Sequence, residues 1–250
     1  MAKRSKLLIL FSLLIIGIVP STGNPYLLPS VQIIEFMANQ FAEARTLQIT
    51  QLTKIIDLNQ EIEMIFGESI SLMSPVSYRS EIAGQPYKRL IIRNGSRTLK
   101  IINGDVIYDK ESNDFTFQFL MLAQNPKQLL KYLKELGINM DMVSLTRFEG
   151  RIAYLIGDKG EGNPRLLVDK DSFLPLLLQY GNVLIHASDF RKLTPQIWYP
   201  HYILYSFTGA TIDEYLKEEY RIKDVMINPS FDVLLFDIPL AKAKISKRGL

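Results

Sequence analysis

The residue types that do chemistry are few in this chain, and they are scattered. It has two histidines, His186 and His201, and no cysteine. The histidines lack the HExxH spacing and thiolate company of a metal site, so their default use is structural. The missing cysteines remove disulfides, thiolate metal sites and thiol nucleophiles. No Gly-x-Ser-x-Gly elbow marks a serine nucleophile. The stretch Gly157-Asp158-Lys159-Gly160-Glu161-Gly162 is glycine-rich. It lacks the Gly-Lys-Ser/Thr ending of a phosphate loop and reads as a hairpin loop. Asp213, Glu214, Glu218 and Glu219 are candidates for an acid–base cluster. Interleaved with Tyr215, Leu216 and Tyr220 on a strand, they read as a solvated face. Asp169 and Asp171 bracket a turn, the ordinary place for aspartate. Asn94-Gly95-Ser96 matches a glycosylation sequon, and Asn-Gly is equally a hairpin turn. The expectation is a chain that is not an enzyme and uses no metal or cofactor.

The elements explain the scarcity. From Thr46 to Asp109 the sequence alternates with a period near two: Leu47, Ile49, then Ile62, Met64, Phe66, then Ile70, Leu72. That period gives strands with one greasy face, as an antiparallel sheet requires. Turn pairs such as Asn94-Gly95 and Asn103-Gly104 separate the runs, because both residues tolerate positive φ. A helix is expected over Val31–Ala44, capped by Ser30, with Ile33, Ile34, Met37 and Phe41 on one face. Two short helices are expected over Phe115–Ala123 and Lys127–Leu136, around Asn125-Pro126. Strands resume from Met142 to Val225. An irregular closing segment, Asn228–Pro239, and a basic tail, Ala241–Leu250, end the chain.

Residues 1–23 read as a secretory signal: Lys3, Arg4 and Lys6, then apolar Leu7–Val19, then Pro20-Ser21-Thr22-Gly23. The apolar run is shorter than the roughly 20 residues a membrane span needs. Three of the 29 basic residues lie in this segment, which leaves 26 of each sign after cleavage. A neutral chain has no electrostatic footprint for nucleic acid. The expected organisation is 1–23 signal peptide, 24–240 one domain and 241–250 tail, exported to a periplasm that suits a cysteine-free fold. Excess apolar surface with helices to cover it fits a carrier of something hydrophobic, and equally a filled core.

The order of segments resembles the periplasmic lipoprotein-carrier family, the LolA-like and LolB-like proteins. ISLMSPVSYRSEI (Ile70–Ile82) is similar to that family's strand, proline turn and aromatic-rich strand. IIRNGSRTLKIINGDVIYD (Ile91–Asp109) is similar to its hairpin, and RLLVDKDSFLPLLLQY (Arg165–Tyr180) to its aspartate turn and Leu-Pro step. DFRKLTPQIWYPHYILYS (Asp189–Ser206) and YRIKDVMINPSFDVLLFDIP (Tyr220–Pro239) resemble its last strands and closing end. The resemblance implies a mainly β (α+β) fold, an incomplete antiparallel β-barrel with its concave face covered by helices. It implies a monomeric carrier that shields acyl chains of lipoproteins, or another lipid, for transfer toward the outer membrane. The partners it implies are that cargo and an envelope receptor or transporter. The alternative is a non-transporting lipid sensor or accessory protein of the envelope. The family's arginine before the turn proline is replaced here by Ser74, and the nearest arginine is Arg79. For the cavity wall the candidates are Ile49, Met64, Phe66, Leu72, Leu90 and Ile92; for the lid, Phe117, Leu120 and Met121. Each is also suited to ordinary core packing.

Overall fold

The computed structural model describes residues 27–57, 62–74, 77–111, 117–123, 125–160, 162–208 and 215–246. The expected signal segment, the Leu58-Asn59 turn, Pro75, Asp213, Glu214 and residues 247–250 lie outside these. The chain opens with helix α1 (Ser30–Asn39). Six strands follow: β1 (Thr46–Asp57), β2 (Ile62–Met73), β3 (Ser77–Ala83), β4 (Lys88–Asn94), β5 (Arg97–Ile102) and β6 (Asp105–Glu111). Two helices, α2 (Phe117–Met121) and α3 (Pro126–Glu135), precede β7 (Val143–Phe148), β8 (Arg151–Gly157) and β9 (Arg165–Asp169). Next come β10 (Pro175–Tyr180), β11 (Val183–Lys192), β12 (Trp198–Thr208) and β13 (Tyr215–Ile227). A short 3-10 turn (Val233–Phe236) and helix α4 (Ile238–Ser246) close the chain.

The strands form one antiparallel sheet in the order β6-β5-β4-β3-β2-β1-β13-β12-β11-β10-β9-β8-β7. Its hairpins form where the turn chemistry demands. Asn103 and Gly104 both hold positive φ, 51° and 99°, as a tight turn between β5 and β6 requires. The edges β6 and β7 do not pair, so the barrel is incomplete. The sheet nonetheless curls strongly. Tyr108 on β6 and Tyr180 on β10 line the same cavity, although eight strands lie between them. In a flat sheet they would stand about 40 Å apart, at about 4.8 Å per strand.

Helices cover the inner face. α1 buries Ile33, Ile34, Met37 and Ala38 against α2 and α3 residues Phe117, Leu120, Met121, Leu129 and Leu133. The same cluster takes Leu47, Ile49, Ile70 and Leu72 from β1 and β2, and Ile156, Leu166, Leu178, Ile185 and Ile203 from the far half of the sheet. α3 starts where expected. Asn125 accepts from the Lys127 and Gln128 amides at 3.0 and 3.4 Å, with Pro126 at the first helical position.

Two boundaries differ from the sequence reading. α1 ends at Asn39 rather than Ala44, and Pro29 rather than Ser30 precedes it. The Ser30 hydroxyl donates instead to the Met140 carbonyl, which ties the helix to the lead into β7. The expected basic tail is also helical as far as Ser246. α4 packs on the outer face, where Ile238 and Ala241 join Leu90, Ile92, Leu99 and Ile101. Lys242 reaches Asp109 on β6 at 2.6 Å. Ile238, Ala241 and Lys242 thus dock α4 on the outer face of the sheet.

Candidate functional site: a cavity on the inner face

Register decides what the inner face offers. From Leu72 and Ile70 on β2, the same parity runs to Glu68, then across β3 to Tyr78, Ser80 and Ile82. Across β4 it reaches Arg93, Ile91 and Arg89, and across β5 Thr98 and Lys100. On the other side β1 presents Gln51 and Thr53, and β13 presents Tyr220 and Glu218. Apolar side chains therefore fill one end of the inner face, and polar ones occupy the other.

A cavity of about 560 Å³ lies at the meeting of the two. One wall is Ile70, Tyr78, Ile91, Thr98, Lys100 and Tyr108; the facing wall is Tyr180, Val183, Tyr205 and Phe207, with the β10–β11 turn Gly181-Asn182 at its lip. Arg89, Arg93, Glu218 and Tyr220 complete the lining. The volume falls within the roughly 300–1,000 Å³ usual for small-molecule sites.

Beneath the cavity sits a buried charge cluster. Arg89 Nη2 is 3.0 Å from Glu68 Oε1, and Arg89 Nη1 is 3.2 Å from Glu218 Oε1. Glu68 also accepts from the Gln51 amide at 2.9 Å and from the hydroxyls of Thr53 and Ser80. Tyr220 donates its hydroxyl to the second Glu218 oxygen. One buried and one half-buried carboxylate around a buried guanidinium are tolerable because every carboxylate oxygen finds a donor. Burial alone would lower the Arg89 pKa; Glu218 and Glu68 outweigh it and hold the guanidinium above its ordinary value. Burial, then the Glu68 carboxylate, pushes the Tyr78 hydroxyl up, and burial, then Glu218, does the same to Tyr220. Lys100 moves down, first through burial and then through repulsion from Arg89.

None of the nine residues expected for wall and lid lines this cavity. Ile49 and Leu72 are on the inner face within the main core, beside Ile70, which does line it. Met64 and Phe66 share that parity but sit further along β2. Met64 is exposed, and the Phe66 ring lies against Tyr87 at 4.9 Å. Leu90 and Ile92 are on the opposite face, under α4. The reason is local: β4 reads Arg89-Leu90-Ile91-Ile92-Arg93, apolar on both faces, so only Ile91 points inward with the arginines. Phe117, Leu120 and Met121 are fully buried on α2, and the Phe117 amide donates to the cavity-wall hydroxyl of Tyr205 at 3.1 Å.

The acid cluster of the sequence also divides. Glu218, expected on a solvated face, is half-buried and is one of the two carboxylate partners of Arg89. Sequence reasoning missed Glu68 and Arg89. The available signal was Glu68 at an inner-parity position between Phe66 and Ile70. The histidines take ordinary roles: His186 Nε2 stands 3.3 Å from Glu149, and His201 Nδ1 stands 3.1 Å from the Tyr199 carbonyl. Asp169 Oδ1 accepts from the Asp171 and Ser172 amides, as a turn aspartate does. Among the described residues no group of three or more histidine, aspartate or glutamate side chains could hold a metal.

An open antiparallel sheet curled around helices, with a cavity at the edge of its core, defines a LolA-like fold. No family model and no curated protein matches the sequence. Solved structures match along nearly the whole chain. A domain from Vibrio parahaemolyticus assigned to outer membrane lipoprotein sorting aligns at 8% identity with a TM-score of 0.56, over 85% of this chain and 97% of its own. A LolA superfamily protein from Nitrosomonas europaea aligns at 9% identity with a TM-score of 0.53, over 84% and 99%. A DUF1329 family protein from Desulfovibrio piger aligns at 12% identity with a TM-score of 0.51, over 85% and 98%. At these identities the likeness is one of fold.

Proposed function

We propose that residues 1–23 direct export and that the mature chain is a periplasmic carrier. It shields an acyl chain of a lipoprotein, or of another lipid, for transfer toward the outer membrane, and performs no covalent chemistry. The supporting observation is the cavity, which lies between the packed core and the polar end of the inner face and has Ile70, Ile91, Val183, Tyr205 and Phe207 on its walls. Each buried methylene contributes about 0.8 kcal/mol, so one chain supplies on the order of 10 kcal/mol before binding costs. Ile49 and Leu72, beside Ile70 on the inner face, act as the packed support of that wall, and α2 acts as the lid through its bond to Tyr205. Release needs an envelope receptor or a lid that opens with little strain.

Native mass spectrometry of the purified chain tests the proposal. A co-purifying lipid or acylated peptide is the expected result. Protein that stays at its bare mass after incubation with such ligands overturns it.

A further inference from the structure

Among the described residues, two donors at the polar end of the cavity have no acceptor, and the carboxylates there are already engaged. Both oxygens of Glu68 and both of Glu218 already accept hydrogen bonds. Against them, Arg89 Nε and Thr98 Oγ1 are buried with no hydrogen-bond partner among the described residues. Lys100 makes no ion pair among the described residues. Among the described residues Lys100 lines the cavity beside Arg89, whose charge Glu68 and Glu218 already take up, and Arg93, which donates to the Gly95 carbonyl, lies on the same wall. Buried donors without acceptors are costly, and a buried cation beside another is more so.

Thr98 and Lys100 stand two residues apart on β5, about 7 Å along one face. Arg93 pairs with Thr98 across β4 and β5, and Ile91 pairs with Lys100. Cationic and apolar groups thus alternate along one wall, and Tyr205 and Phe207 face them.

We propose that the cavity selects single-chain lipids with an anionic head, a carboxylate or a phosphate monoester, held by Lys100 with Thr98 and Arg93 while the chain lies against Ile91, Tyr205 and Phe207. This rests on the carrier reading above and narrows its cargo. The anion supplies an acceptor for Lys100 and Thr98, and it relieves the repulsion between Lys100 and Arg89. A neutral head leaves both unrelieved.

Equilibrium dialysis of the full chain against palmitate, 1-palmitoyl lysophosphatidate and monopalmitoylglycerol, all below micelle formation, tests it. Either or both anionic lipids should bind about tenfold tighter than the neutral one, as expected for one added charge-assisted contact. Preference for palmitate alone identifies a carboxylate head, and preference for lysophosphatidate alone a phosphate head. Lys100→Gln should reduce the preference to below about threefold, and Lys100→Arg should keep it. If Lys100→Gln does not fold by circular dichroism, Thr98→Val should reduce the preference severalfold in its place. Equal binding of all three lipids by the native chain overturns the anion selection and leaves the carrier standing. Binding of none overturns both.

Discussion

Arg89 and Glu218 meet at 3.2 Å although three strands, β3, β2 and β1, separate the strands that carry them. In a flat sheet those positions would lie about 19 Å apart. The pair is a chord across the inside of the curl, and Glu68 anchors its middle. Charge and curvature are therefore coupled: the sheet must bend for the carboxylates to be compensated.

Removing the guanidinium should be severe. Arg89→Met leaves the buried Glu68 and the half-buried Glu218 without their common partner, at a cost of about 3–5 kcal/mol. The triple variant Glu68→Gln, Arg89→Met, Glu218→Gln removes the uncompensated charge and should recover most of that loss. Urea unfolding midpoints measure both. A triple variant no more stable than Arg89→Met would show that the cluster's charges do not govern the site.

Adjacent isoleucines on β4 should have opposite phenotypes. Ile92 is fully buried under α4, so Ile92→Ala should cost about 2–5 kcal/mol in unfolding free energy. Ile91 is half-buried on the cavity wall, so Ile91→Ala should weaken lipid capture on the order of tenfold with a smaller stability loss. Stability by denaturation and capture by dialysis separate the two. The same loss pattern in both variants would contradict the assignment of faces.

Much of the fold was legible in the sequence. The alternation over Thr46–Asp109 and the Asn-Gly turns specified β1 to β6, because period and turn chemistry are local properties. The site was not legible to the same degree. Parity within β4 is ambiguous when Leu90, Ile91 and Ile92 are consecutive, and nothing local says that an outer helix will cover Leu90 and Ile92. Glu218 looked solvated because its partner Arg89 is 129 residues away in the chain and meets it only through the curl. α4 was missed for the related reason that its apolar residues have meaning only against the outer face of β4 and β5.

Docking of α4 should depend on acid. Hydrogen bonds from Arg97 and then Lys242 hold the Asp109 carboxyl down to about 2, from an ordinary 3.8. A lowered folded-state value means that the stabilisation is fully present above the ordinary value and is lost as pH falls toward about 2. Amides of 238–246 should therefore exchange faster, relative to the intrinsic rate, as pH drops through that window. In Asp109→Asn their protection should be lower at neutral pH and flat across the same range. Protection that is independent of pH in the native chain would remove the Lys242–Asp109 contact as the clasp.

The proposed lid, α2, should respond to a single oxygen. The Phe117 amide at the start of α2 donates to the Tyr205 hydroxyl at 3.1 Å, and burial keeps that hydroxyl protonated by raising its pKa well above the ordinary value. Tyr205→Phe keeps the ring that packs at 5.1 Å on Tyr220 and removes the acceptor. A buried amide left without its acceptor costs about 1–3 kcal/mol, and a five-residue helix has little else of its own to resist fraying. Exchange at 117–123 should therefore accelerate on the order of tenfold or more, while α1 and α3 amides keep their rates. On the proposed carrier reading the same opening admits the chain, so lipid association should speed up with dissociation, leaving affinity changed less than either rate. Faster exchange with unaltered lipid kinetics would mean that α2 is a plug in the core and not the door to the cavity.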